Sequence, residues 1–260
     1  MVLESLAAAR GYQHLFVAPH PDDAALSCGG QIAGLVDQGA RVLVITLCAG
    51  DPPRGAPLSP FARYLHREWG LGDEPMRLRR AEDARALRIL GCDGLQLDQL
   101  DAPYRVARYG IGDGWRGEVD PDDPLIPASL AILSQLHVQQ PDARIYVPLG
   151  VGNHVDHQIL CEAGRRLHDA GATVVWYEDA PYAAKDPAAL RQRLMMLPES
   201  LTPEVIDITS GLERKLAAIT AHESQQRELF GDADMTQVMT GYAAEIAGGR
   251  GYGERLWQRR

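Results

Sequence analysis

Short apolar runs bounded by Gly and Pro recur along the chain and alternate with longer stretches of helical periodicity. His14-Leu15-Phe16-Val17-Ala18, closed by Pro19, is too short for a helix and predicts a buried strand. Residues 41–48, 143–147 and 173–177 repeat that signature, and residues 94–97 and 205–208 are shorter candidates. Between them lie helical patterns over residues 24–36, 75–90, about 127–140, 158–170 and 211 to about 225. Strands alternating with helices predict an α/β fold: a Rossmann-like, mostly parallel sheet with helices on both faces and right-handed crossovers. The 260 residues suit a single domain over residues 1–260.

Two polar clusters break the apolar pattern, each just after a predicted strand. His20-Pro21-Asp22-Asp23 follows the first, and Asn153-His154-Val155-Asp156-His157 follows the strand at residues 143–147. Open α/β sheets bind ligands beyond the carboxyl ends of their strands, so this order predicts both clusters on one edge. A helix N-cap accounts for Asp22 or Asp23, but not for a His followed by two Asp. Ser27-Cys28-Gly29-Gly30 lacks the glycine spacing of a dinucleotide turn.

With these two ordered motifs the chain resembles the PIG-L/LmbE superfamily of zinc-dependent N-acetyl-sugar deacetylases, whose hallmarks are an HPDD and a later HxDH segment. Weaker matches extend the resemblance: Arg79-Arg80-Ala81-Glu82, then Lys215-Leu216-Ala217 on to Ala221-His222-Glu223-Ser224-Gln225, and Gly253-Glu254-Arg255-Leu256-Trp257. The family's ligand positions map onto His20, Asp23 and His157. Zinc hydrolases use such a three-ligand set and leave a fourth position for water, so the expected cofactor is Zn2+ or another divalent transition metal. Asp22 adjoins a ligand without being needed as one and is the expected general base. His154, kept protonated and oriented by Asp156, is expected to stabilise the developing oxyanion or to act as the acid. The family's arginine near the substrate transfers to Arg79. Many members carry Glu after the paired aspartates, where this chain has Ala24.

The resemblance implies a metal-dependent hydrolase that removes an N-acetyl group from an N-acetylglucosamine-like sugar or conjugate, with Asp22 activating a zinc-bound water. Deacylation of another small amide is the neighbouring alternative. Ala24 is the argument for a catalytically inactive metal-binding module. A phosphoester hydrolase fits less well, because the residues suggest one metal rather than a two-metal carboxylate cluster.

The partner that the resemblance implies is a small-molecule amino sugar, and composition excludes other classes. A formal net charge of -9 argues against broad nucleic-acid binding. No apolar run is long enough for a bilayer, and residues 1–10 lack a signal-peptide pattern, so no membrane partner and a cytoplasmic location are expected. A homo-oligomer is compatible with this composition. Cys28, Cys48, Cys92 and Cys161 show no CxxC spacing and read as buried reduced thiols. Residues 49–75 are expected to form a substrate loop or lid with one short helix. Residues 98–123 offer Tyr104, Tyr109 and Trp115 for sugar stacking or loop packing. His137 reads as a packing residue and His222 as a supporting one. Glu178 and Asp179 form another acidic strand end, suited to substrate contact, site support or capping.

Overall fold

A computed structural model of the chain describes residues 1–55, 57–68 and 75–259. Its strands are β1 (Val2–Leu3), β2 (His14–Ala18), β3 (Val42–Thr46), β4 (Asp93–Gln96), β5 (Arg144–Pro148), β6 (Val174–Tyr177), β7 (Leu201–Asp207) and β8 (Gly253–Arg259). The helices are α1 (Asp23–Asp37), α2 (Pro60–Glu68), α3 (Pro75–Leu90), α4 (Ala102–Arg105), α5 (Leu125–Gln139), α6 (Val155–Asp169), α7 (Tyr182–Lys185), α8 (Pro187–Met196), α9 (Leu212–Thr220), α10 (Gln226–Phe230) and α11 (Met235–Ile246). One sheet runs β1-β4-β3-β2-β5-β6-β8-β7, parallel from β1 to β6, with β8 antiparallel to both β6 and β7.

The apolar runs become central strands because both faces of the sheet are covered, the condition under which parallel strands lose their polar alternation. Leu15, Val17, Leu43, Ile45, Ile145, Val147 and Trp176 pack on one face with α5 and α6. Phe16, Ala18, Val42, Val44, Tyr146 and Val175 pack on the other with α1, α3 and α9. The period of two along each strand thus divides the core into two layers.

Elements with weak patterns were the ones misjudged from sequence. β1 is only two residues long, and β8 interleaves charged and apolar side chains, so neither stands out as an apolar run. The helix expected to reach residue 225 ends at Thr220 and is followed by a 3-10 turn over Glu223–Gln225. In the expected lid, α2 is the short helix, while residues 69–74, Trp69 among them, lie outside the described residues. All four cysteines are buried and free. No helix among the described residues is long and apolar enough to cross a membrane.

Two of the weaker sequence matches meet in the core. Lys215 Nζ on α9 donates to Glu254 Oε1 of β8 at 2.6 Å, and the Glu254 carboxylate also accepts the amides of Gly30 and Gln31 within α1 at 2.9 and 2.8 Å. Gly30 also lets Ile208 pack directly on α1, since a Cβ there would lie 2.6 Å from Ile208. The C-terminal strand is thereby tied to α1, the helix that begins at Asp23. Glu254→Ala leaves the Lys215 ammonium buried without its partner and is expected to cost about 3–5 kcal/mol in urea unfolding; a loss below about 1 kcal/mol would show the pair to be dispensable.

Asp83 on α3 is buried against β3 and β4, where its Oδ2 accepts from Gln96 Nε2 at 2.8 Å and Thr46 Oγ1 at 3.2 Å. Burial pushes its carboxyl up to about 6, against the pull of those two bonds. The folded state therefore holds this proton more tightly than the unfolded chain, so its stabilising contribution is present at low pH and lost as pH rises from about 4 to about 6. Relative to the parent, Asp83→Asn should gain up to roughly 3 kcal/mol between pH 4 and 7. Parallel stability curves for the two proteins would contradict this assignment.

Candidate metal centre

The sheet reverses its winding between β2 and β5: β3 and β4 extend to one side, β5 and β6 to the other. Such a switch point opens a crevice beyond the strand ends. β2 delivers His20, Asp22 and Asp23 there; β5, through the turn at residues 149–153, delivers His154 as the N-cap of α6 and His157 in its first turn. The turn needs Gly152, at φ 86°, because a Cβ there would lie 2.6 Å from the Tyr182 ring. β6 contributes Asp179 and the connection after β4 contributes Asp101.

His20, Asp23 and His157 each offer a ligand atom within 4.8 Å of the others, and all three are buried. Asp23 Oδ2 stands between the rings, 3.3 Å from His20 Nδ1 and 3.4 Å from His157 Nε2. The far nitrogen of each ring meets a carboxylate: His157 Nδ1 contacts Asp179 Oδ1 at 2.6 Å, and His20 Nε2 contacts Asp156 Oδ2 at 3.0 Å. Asp179 is fixed in turn by the amides of Gly150 and Val151, at 2.7 and 2.8 Å. His157 Nε2 is buried with no hydrogen-bond partner. Two carboxylate-backed imidazoles with their free nitrogens turned to a shared carboxylate oxygen have the donor chemistry of a divalent zinc site.

The electrostatics fit that occupant. Burial opposes protonation of His20, but Asp101, Asp156 and Asp23 outweigh it and hold the ring well above its ordinary pKa. His157 is raised in the same way, burial being outweighed by Asp23 and Asp179. Burial pushes Asp23 upward, yet the charges of His157 and His20 hold it well below the usual carboxylate range. The site thus favours positive charge at its centre.

Asp22 stands outside the cluster of three. It precedes α1 but makes no capping hydrogen bond, and its φ of 133° is a conformation L side chains rarely adopt. Its carboxylate lines the cavity, 3.6 Å from Arg79 Nη2; burial pushes it up to about 8 against the pull of that guanidinium. Arg79 is buried rather than solvated, with Nη1 3.7 Å from Asp101 Oδ2, and it also lines the cavity.

The expected pairing of Asp156 with His154 is not what the structure shows. Asp156 turns its carboxylate to His20, to the Ala102 amide at 3.1 Å and to Arg105. Only its backbone amide meets His154, donating to Nδ1 at 3.1 Å. The Asp156 carboxylate still lies near the His154 ring and its charge favours the protonated ring, but its hydrogen bonds are taken by His20, Ala102 and Arg105. With Nδ1 an acceptor, the proton of His154 sits on Nε2, and burial together with the charge of His20 lowers the ring to about 3. His154 is therefore a neutral imidazole on the cavity wall.

Residues from short helices and turns complete the cavity: Phe61 and Leu65 from α2, Trp115, Tyr182 from α7, Gln225 and Glu228 from α10. Trp115 lies 5.1 Å from the His154 ring. Of the aromatics flagged in residues 98–123, Trp115 faces the cavity, while Tyr109 is buried in a small cluster with Ala102 and Val155. Asp101 and Arg105 were missed in sequence because nothing marks a loop carboxylate or arginine whose partners lie about 20 to 80 residues away. Ala24 packs in the apolar core beside Phe16 and Leu26 rather than on the cavity wall. Glu178 turns to Trp257, Arg255 and Tyr242; His137 belongs neither to the group of three nor to a second group of possible ligand atoms, His20, Asp101, His154 and Asp156; and His222 is buried but does not line the cavity.

A profile described as GlcNAc-PI de-N-acetylase (PIG-L) matches residues 15–168, more than half of the chain. A 2'-N-acetylparomamine deacetylase of Niallia circulans is 27% identical over 248 residues, covering 87% of this chain and 86% of its own. A 2'-N-acetylparomamine deacetylase of Streptomyces fradiae is 28% identical, covering 81% and 72%. The crystal structure of the zinc-inhibited form of a teicoplanin deacetylase superposes with a TM-score of 0.79 at 27% identity, covering 94% of this chain and 96% of that one. Family profile, fold and the carboxylate-backed His/Asp centre agree, and the chain belongs to the PIG-L family of zinc-dependent amide hydrolases.

Proposed function

We propose that the chain removes the N-acetyl group of an N-acetylglucosamine-like sugar or conjugate, with His20, Asp23 and His157 holding the ion. The observation that carries this reading is the placement of a carboxyl outside the ligand set, Asp22, and a neutral imidazole, His154, on the wall of one cavity beside the three ligand candidates. A divalent ion bound there supplies Lewis acidity and lowers the pKa of water in its coordination sphere.

The protein's own groups divide the remaining work. Asp22 accepts the proton of the attacking water at its carboxylate and returns it to the departing amine. Burial holds this carboxyl up to about 8 against the pull of Arg79, and a divalent ion at the neighbouring ligands would add to that guanidinium in favouring the ionised form that a base requires. His154 donates from Nε2 to the oxygen of the amide carbonyl as negative charge develops there, a role that a neutral ring fills without first being protonated. Phe61, Trp115 and Tyr182 give the cavity an aromatic lining against which the sugar packs. Asp156 and Asp179 position His20 and His157 by fixing their tautomers. The deacetylase activity named for relatives on acetylated amino sugars supports the substrate class.

Asp22→Asn should keep about one metal ion per chain while acetate release from N-acetylated sugars falls by about 10²-fold or more. Turnover within a few-fold of the parent would remove Asp22 from the role of base. Asp179→Asn should weaken metal affinity by about 10–100-fold in a competition with a chelator, with activity returning when the metal is raised. Unchanged affinity in that variant would mean that His157 is not a ligand or is not held by Asp179.

A further inference from the structure

Tyr182 is a shared wall. On one side lies the metal cavity; on the other opens a second cleft, lined by Arg116, Lys185 and Arg193 among others, with Asp186 the acidic residue on its wall. We propose that this cleft receives a negatively charged substituent of the substrate, phosphate or carboxylate, and that Arg116 and Lys185 select for it. The proposal rests on the deacetylase reading, which it deepens by naming the class of sugar conjugate.

The concentration of cations is local, on a chain whose net charge is -9. Among the described residues neither Arg116 nor Lys185 lies within ion-pair distance of a carboxylate. Arg116 is held instead by stacking, its guanidinium carbon 4.2 Å from the Trp115 ring and 5.6 Å from the Tyr182 ring. Trp115 itself stands against His154, so Arg116 sits one indole away from the metal cavity. Lys185 Nζ lies 5.4 Å from the Phe230 ring. Asp186 does not neutralise the pair: its carboxylate caps α8, accepting the Ala188 amide at 2.9 Å. Arg193 adds a fixed charge, its Nε held by the Leu149 carbonyl at 2.7 Å.

Two cations close together without a counter-ion repel one another. That crowding shows in Lys185, whose amine is pulled below its ordinary value by burial and by the charge of Arg116. An anion between them relieves the repulsion, and a guanidinium preoriented on two aromatic faces offers paired donors to phosphate or carboxylate oxygens. Both side chains are solvent-exposed, so the preference is screened and modest. Tyr182 lines both cavities, so the cleft is the immediate neighbour of a sugar whose N-acetyl group lies at the metal.

The test uses the metal-loaded full chain and three substrates: N-acetylglucosamine 1-phosphate, N-acetylmuramic acid and methyl N-acetylglucosaminide. At least one charged sugar should exceed the neutral glycoside by about tenfold in kcat/KM, chiefly through KM, and whichever does so identifies phosphate or carboxylate as the source. In R116A/K185A the charged-to-neutral ratio should fall toward one. No preference in the parent, or a preference that survives the double substitution, overturns the proposal and leaves the deacetylase reading intact. Calorimetric binding of N-acetylglucosamine 1-phosphate separates the opposite case. If no sugar releases acetate but the parent binds this probe and R116A/K185A does not, the anion site stands and the deacetylase reading falls.

Discussion

The adjacency of β2 and β5 is the constraint on which the site depends. Three residue pairs, His14 with Arg144, Leu15 with Ile145 and Phe16 with Tyr146, fix the register between strands 130 residues apart in sequence. From that register follow both ends of the crevice: His20 two residues beyond β2, and His157 in the first turn of the helix after β5. Strand pairing sets the distance between the imidazoles only coarsely. The finer adjustment comes from carboxylates behind them, Asp156 for His20 and Asp179 for His157, each anchored by backbone amides that are themselves rigid parts of the fold. A centre held in this way owes its geometry to main-chain amides together with the Arg105 side chain behind Asp156.

Charge balance gives the same centre its chemical character. Asp22, Asp23, Asp101, Asp156 and Asp179 are all buried at one strand edge, and the guanidinium groups among them are those of Arg79 and Arg105. Arg105 is also shared with Asp123, so the carboxylates remain in excess. Burying unmatched carboxylates is costly, and the structure answers by raising the proton affinity of His20 and His157. A divalent cation at Asp23 Oδ2 supplies the same compensation while releasing those protons. The surplus of negative charge therefore belongs to the design of the cation site, and the arginines tune it rather than cancel it.

The central part of this arrangement was legible in the sequence, for a physical reason. Strands covered on both faces must be apolar throughout, so β2, β3, β5 and β6 announce themselves, and polar residues placed just after them fall on one edge by topology alone. What was not legible depends on direction rather than position. Asp156 was assigned to His154 because the two are neighbours in the chain, yet α6 turns the Asp156 side chain across the crevice to His20. Asp179 was noticed as a strand-end acid with its role left open, and the structure makes it the partner of His157. Asp101 and Arg105 carry no local signal, since a loop residue's partner is chosen by the fold of everything around it. β8 stayed hidden because charged side chains interrupt its apolar pattern, and their partners, Lys215 for Glu254 and Glu178 for Arg255, come from distant parts of the chain.

Asp22 and Asp23 show how adjacent identical side chains come to differ. Asp23 begins α1 with ordinary helical backbone, and its carboxylate folds back onto the His20 amide at 2.8 Å, which aims Oδ2 at both rings. Were Asp22 to follow the same path, two carboxylates would compete for one position and repel each other there. The backbone instead turns at Asp22 through a conformation that costs an L residue of order 1–3 kcal/mol, and Arg79, itself held between Asp22 and Asp101, lies where the displaced carboxylate arrives. Strain in the main chain thus divides one acidic pair into a ligand candidate and a carboxylate that faces the cavity. That division lets a single short motif supply both a place for the ion and a base beside it.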